Sequence, residues 1–224
     1  MKNKSLLAKL ICTCVVTSLF IMPISADAST NDNKIKAEQQ GVYSEAYTDA
    51  EWAKAKSKPV MEDKGSTKDS TMGIVSTESV GTYPTRNGVI LVTPDKFKGL
   101  IPTGHSGIIW DGATGRIIES ISSGVVIGNN DWNIKKSSCY GVTANGTTTS
   151  QDNNAANWCK TQVGLPYNYN YLNPWTRSRF YCSQLVYASF LDNYGINMDT
   201  WAYLEAVHPM ELVNTSKTYT IYQK

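Results

Sequence analysis

The chain has 224 residues, 41% of them hydrophobic and 18% charged, enough apolar material for one good core but hardly for two. Its formal net charge is +2, and beyond the leader there is no run of like charge, so the electrostatic footprint of a nucleic-acid binder is missing. With no glycine-rich phosphate cradle and no Cys-x-x-Cys or His-x-x-x-His spacing, neither a metal nor another cofactor is expected.

In chain order the first element is a leader. Lys2, Lys4 and Lys9 precede an apolar run from Leu10 to Ile24, which ends at Ala26-Asp27-Ala28, the small-x-small pattern of a secretory cleavage site. Residues 1–28 are therefore read as a signal peptide, and the mature protein is expected to be secreted, extracellular or associated with the cell wall. The run is about 15 residues long, short of the roughly 20 that cross a bilayer, so no integral span is expected after cleavage. Cys12 and Cys14 lie inside the run and not behind it, which does not suit a lipid anchor. Three of the 21 basic and one of the 19 acidic residues leave with the leader, and the remaining charges balance.

Residues 29–84 turn polar, dominated by Lys, Glu, Asp, Ser and Thr, and read as a linker or pro-segment that cannot hold a core of its own, shielding the cleft if it folds back. Within it Thr48-Asp49-Ala50-Glu51 has the form of a capping box and predicts a short helix running to Lys56. The remaining 85–224 form one domain. Strands are predicted at 89–93, 106–110, 116–121, 125–127 and 138–143, helices at 152–163 and 182–194, and a last strand at 218–222. Strands followed by helices indicate an α+β fold.

The chemistry collects at three residues. Cys182 opens the helix in Phe180-Tyr181-Cys182-Ser183-Gln184-Leu185-Val186, where unpaired N–H groups and the helix dipole favour thiolate over thiol. Taken alone it reads first as a buried structural cysteine. A thiol hydrolase needs a general base, and the chain holds two histidines. His105 stands in Gly104-His105-Ser106-Gly107-Ile108, with small neighbours that leave room for substrate. His208 precedes Pro209 and reads as a surface connection, followed by a short helical turn at Met210-Glu211-Leu212. The turn Asp111-Gly112-Ala113-Thr114-Gly115 folds two strands into a hairpin and brings Glu119 within a residue or two of the level of His105. A carboxylate beside the imidazole would fix its tautomer; without His105, Glu119 would be a solvated strand charge.

Gly104-His105-Ser106-Gly107-Ile108, Ile118-Glu119-Ser120 and Tyr181-Cys182-Ser183-Gln184-Leu185-Val186 together resemble the circularly permuted branch of the NlpC-type, papain-like cysteine hydrolases, the YiiX/YebB-like permuted amidases. In ordinary members the Cys helix comes before the His strand, whereas here His105 precedes Cys182. Gly88-Val89-Ile90-Leu91-Val92 resembles the opening strand, and Gly164-Leu165-Pro166-Tyr167 the segment before the nucleophile. The resemblance implies a papain-like antiparallel sheet packed with helices. It also implies Cys182 as nucleophile, His105 as base, Glu119 as the group orienting the base, and Tyr167 as a substrate-binding side chain. Tyr181 and Gln184 depart from the Asp and Gly of many ordinary members.

Three cysteines follow the leader; Cys139 and Cys159 can pair with each other or both stay reduced, and Cys182 is left free. Residues 167–175 carry four aromatics, which either hold sugars and peptide stems over a cleft or seal the core. The expected reaction is amide hydrolysis through an acyl-enzyme, with peptidoglycan stem peptides as the first substrate. Lipid acyl hydrolysis or transfer and a non-catalytic wall-binding module are the alternatives.

Overall fold

The computed structural model describes residues 44–63, 74–76, 80–95 and 104–224. The expected signal peptide lies outside the described residues. In chain order the elements are α1 (Glu45–Lys56), β1 (Val60–Met61), β2 (Ile74–Ser76), β3 (Ile90–Thr93), β4 (His105–Asp111), β5 (Arg116–Ile121), β6 (Gly124–Asn129), α2 (Trp132–Lys135), β7 (Tyr140–Ala144), α3 (Thr149–Thr161), α4 (Cys182–Tyr194), α5 (Glu211–Asn214) and β8 (Thr218–Gln223). Among the described residues the strands form one sheet in the order β2-β1-β8-β7-β3-β4-β5-β6. It is antiparallel except where β1 runs parallel to β8, so the α+β fold with an antiparallel sheet stands. No helix among the described residues is long and apolar enough to cross a membrane.

The alternation of side chains along a strand explains why the central strands are apolar throughout. Ile90 and Val92 of β3, Ile108 of β4 and Ile118 of β5 point into the larger core, where α3 and α4 pack. Val89, Leu91, Ile109 and Ile117 point the other way, into a smaller core with Trp132, Cys139, Ile221 and Tyr222. α4 is covered on every side from Cys182 to Phe190, as befits a helix without a polar face. It stops at Gly195, whose φ of 67° is open to glycine at little cost, and whose N–H returns to the Leu191 carbonyl at 2.8 Å.

Local capping chemistry moved several boundaries. α3 begins at Thr149 and not at 152 because Thr148 and Gln151 form a capping box. α1 begins six residues before Glu51, capped by the Ser44 hydroxyl on the Tyr47 N–H at 3.2 Å. The Thr48–Glu51 capping box is thus not used: Thr48 is inside the helix, buried, with its hydroxyl 3.3 Å from that of Tyr203. α1 packs on the domain through Tyr47, Trp52 and Ala55, and the Tyr47 hydroxyl donates to the Ala202 carbonyl at 3.0 Å.

His208 is not a surface connection. It is 6% exposed, its ring lies flat on Tyr203 at 4.1 Å, and Trp52 approaches its edge at 6.1 Å. The extended residue before Pro209 is held there by Glu211, which accepts the His208 N–H at 2.7 Å and also the Thr200 hydroxyl at 2.6 Å. Burial pushes the Glu211 carboxyl up to about 7 against these donors.

A buried ion pair ties the sheet to α3. Asp152, fully buried, meets Arg86 at 2.7 Å, the Thr147 hydroxyl at 2.5 Å and the Thr143 hydroxyl at 3.3 Å, while Arg86 also reaches Asp63 at 3.0 Å. Removing one member of such a pair leaves an uncompensated buried charge. Arg86→Met is expected to cost on the order of 3 kcal/mol at neutral pH, roughly 6–12 °C in thermal midpoint. Burial already raises the Asp152 carboxyl, so protonation relieves the charge and the loss should shrink on acidification. Thermal melts of the two proteins across pH check both the size and the sign.

Candidate active site

Cys182 is the first residue of α4, and its backbone is held from several directions. The Ser120 hydroxyl on β5 donates to the Phe180 carbonyl at 2.6 Å. The Ser183 hydroxyl donates to the Val207 carbonyl at 2.6 Å, and the Val207 N–H returns to the Tyr181 hydroxyl at 3.1 Å. Gln184, fully buried, accepts the Tyr181 N–H at 3.1 Å and the Asn168 side-chain amide at 2.9 Å, and donates to the Thr176 carbonyl at 2.9 Å. The glutamine that departs from the ordinary pattern therefore fastens the aromatic loop to the helix start, one turn from the thiol.

His105 is the first residue of β4, so the sheet ends where the imidazole begins. In the observed register Gly107 faces Glu119, which sets His105 and Glu119 diagonally on one face. Imidazole Nε2 and Glu119 Oε2 are 2.6 Å apart, and Cys182 is in side-chain hydrogen-bond contact with the same imidazole, leaving Nδ1 for the thiol. The three residues singled out from the sequence are thus brought together, with Cys182 7% and His105 5% exposed.

The electrostatics follow from these contacts. Burial alone pushes the Cys182 thiol up, but His105 and the backbone N–H groups of Ser106 and Ser183 outweigh it and hold the thiol below its ordinary value. Burial likewise opposes a charged His105, and the contacts with Cys182 and Glu119 reverse this and raise it to about 9. Both shifts favour a thiolate beside an imidazolium. Cys139 and Cys159 behave oppositely, pushed up by burial to about 11 and about 12. They sit in the two cores on opposite faces of the sheet, and all three described cysteines are free, so the alternative of a Cys139–Cys159 pair is not realised.

Tyr167 also reaches this neighbourhood. A bridge between Tyr167 and Phe180 lays it beside the strand leading into α4. Burial, followed by the charge at Cys182, keeps its phenol protonated above the ordinary range, and its hydroxyl lies 3.4 Å from that of Tyr171. Its ring contacts Tyr169 at 4.9 Å and Tyr171 at 6.4 Å, and Tyr171 contacts Tyr181 at 5.4 Å. Within the aromatic loop, Tyr169 and Trp175 stay 68% and 59% exposed, so the loop seals the core with one set of rings and presents another to solvent.

Two contributors had no signal in the sequence. Trp132 stacks on His105 at 5.3 Å between ring centres, with 28° between the planes. Gly128 on β6 leaves room for Glu119: a Cβ built there would lie 2.0 Å from Glu119 Oε1. Neither follows from periodicity, because each depends on how α2 or β6 is laid against the neighbouring strand.

Comparison with known proteins places this geometry in a family. A family model described as permuted papain-like amidase enzyme, YaeF/YiiX, C92 family, matches residues 95–218, which include His105, Glu119, Tyr167 and Cys182. The uncharacterized protein YycO of Bacillus subtilis (strain 168) is 31% identical over 125 residues, 53% of this chain and 48% of that protein. The chain thus spans about half the length of this curated relative. The crystal structure of metalloprotein yiiX from Escherichia coli O157:H7 superposes with a TM-score of 0.50 at 14% identity, covering 62% of this chain and 97% of that one, a likeness of fold alone. By the extent of the family match, the chain belongs to the permuted papain-like amidase enzymes of the YaeF/YiiX, C92 family.

Proposed function

We propose that the protein is a secreted cysteine amidase or endopeptidase that cleaves an amide bond in peptidoglycan stem peptides. The observation that supports this most is the contact of Cys182 with His105 at the start of α4, with Glu119 at 2.6 Å on the other imidazole nitrogen. Secretion rests on the leader of residues 1–28 and, with the amidase family, suggests the cell wall as the place of action.

In this mechanism the Cys182 thiolate attacks the carbonyl carbon of the scissile amide. The developing oxyanion is stabilised in part by the Cys182 backbone N–H at the helix start, and Tyr167 lines the acyl side of the site. Protonated His105 gives its proton to the leaving amine, which departs as the acyl-enzyme forms. His105, now neutral, takes a proton from water as it attacks the thioester, and the carboxylic acid leaves with the thiolate–imidazolium pair restored. Glu119 holds the tautomer throughout. The yiiX protein is described as a metalloprotein; among the described residues of this chain no group of three His, Cys, Asp or Glu side chains is arranged to hold a metal, and no step of the mechanism uses one.

Thiol reactivity tests the pair without a substrate. Iodoacetamide at about pH 6.5 should alkylate Cys182 and spare Cys139 and Cys159, and His105→Ala should slow the Cys182 reaction roughly 10- to 100-fold as its thiolate fraction falls. Equal labelling of all three cysteines, or no effect of His105→Ala, would remove the nucleophile assignment.

Substrate is tested by mass spectrometry of purified peptidoglycan digested by the protein, with Cys182→Ala as control. New stem-peptide fragments that vanish in the variant are expected, with kcat/KM falling as pH rises through about 9, where His105 loses its proton. Release of free fatty acid from phospholipid with no wall fragments would move the same site to lipid acyl chemistry. An unreactive Cys182 with neither product would leave a wall-binding module.

A further inference from the structure

We infer that Trp132 is a positioning residue for His105: its indole face holds the imidazole in plane between Cys182 and Glu119 and stabilises the imidazolium through a cation–π contact. The inference rests on the acid–base role given to His105 above. The ring centres are 5.3 Å apart with planes inclined by 28°, within the range over which an aromatic face attracts a cation, and tryptophan is the strongest of the aromatic faces. Trp132 is 3% exposed, so the contact is shielded from water.

The backbone that carries the indole is itself anchored by groups with no other part in the site. The Tyr83 hydroxyl accepts the Trp132 backbone N–H at 3.0 Å while donating to Asn130 at 2.7 Å. The Lys224 ammonium donates to the carbonyls of Asn133 and Lys136 at 2.9 and 2.8 Å, which fastens the far end of α2 to the last strand. Lys136 Nζ lies over the same indole at 5.4 Å. Such support is what a residue used to set the plane of another ring requires, since a loosely held indole would move with it.

Among the described residues, charged and titratable groups facing the imidazole include Glu119 from β5 and Cys182 from α4, and Lys136 approaches through the indole. Two hydrogen bonds, toward carboxylate and toward thiol, and the covalent bond to Cβ set the plane of the imidazole, and a flat partner on the ring face resists its tilting out of that plane. This is the part of the site that the Cys, His and Glu side chains do not supply for themselves.

Burial and π attraction act on His105 with opposite signs, which makes the inference testable. If Trp132 only excludes water, replacing it with leucine lets water in and the imidazolium becomes easier to form. If the indole face stabilises the cation, the same replacement makes the imidazolium harder to form. The experiment is an imidazole NMR titration of the isotopically labelled protein, whose two histidines are told apart with His105→Ala.

Trp132→Leu is expected to lower the His105 pKa by about 0.5–1.5 units, with Trp132→Phe intermediate because phenylalanine keeps a weaker face. An unchanged or raised value in Trp132→Leu overturns the inference. Should that variant not fold, Trp132→Phe carries the test, with a fall of a few tenths expected and no fall overturning it. The titration is read from the ring and needs no substrate, so failure to cleave peptidoglycan would count against the proposed function and leave this result standing.

Discussion

A negative sulfur and a positive imidazole, both nearly out of reach of water, can be stable only together. Cys182 and His105 are 7% and 5% exposed, and burial acts against the charged form of each. Their mutual contact, Glu119 on the far nitrogen, and the N–H groups of Ser106 and Ser183 on the sulfur reverse that penalty. Each partner alone would be neutral at this depth, and the site would be an inert thiol beside a neutral histidine. The rest of the molecule can be understood as what keeps the first residue of α4 against the first residue of β4.

That task is shared between the apolar core, where α4 packs on β4, and side-chain-to-backbone bonds around the helix start. Ser120 and Gln184 bond the backbone of Phe180 and Tyr181 just before Cys182, Gln184 also reaches the Thr176 carbonyl, and Tyr181 and Ser183 tie the helix start to the backbone of Val207. The Val207 connection is stabilised in turn by Glu211, which gathers the N–H groups of Thr200, Ala202 and His208 around one carboxylate. Strain sits on the same connection: Trp201 and Leu204 have φ of 61° and 58°, outside the usual range for side chains of this size.

Residues 44–63 show how little apolar surface is needed to dock a polar segment. The composition is too hydrophilic for a core of its own, yet Tyr47, Trp52 and Ala55 fall on one side of α1 and meet Tyr203, Tyr140 and His208 of the domain. Trp52 also lies where a side chain on Gly104 would stand, 2.9 Å from a Cβ built there, and so reaches the residue before His105. Composition averages over the segment and cannot register two well-placed rings.

The sequence by itself determined strands β3 to β8 and the long helices α3 and α4, though not β1 and β2 in the polar segment, because period-two and period-3.6 patterns of apolar residues express burial directly, and it determined the hairpin that lays Glu119 beside His105, because a five-residue turn sets register by counting. The order of His105 before Cys182 was legible for the same reason: it is a property of the chain and not of its packing. Tertiary structure alone decided that His208 is buried, since the cover comes from Tyr203 and Trp52, the latter more than 150 residues away. It decided that Gln184 is a loop anchor, since Asn168 and Thr176 reach it only after the loop folds back. It also decided that Trp132 lies on the imidazole and that Gly128 makes way for Glu119. Local patterns report which face of an element is buried; which residues then meet there depends on how separate elements are set against each other, and no short window of sequence contains that information.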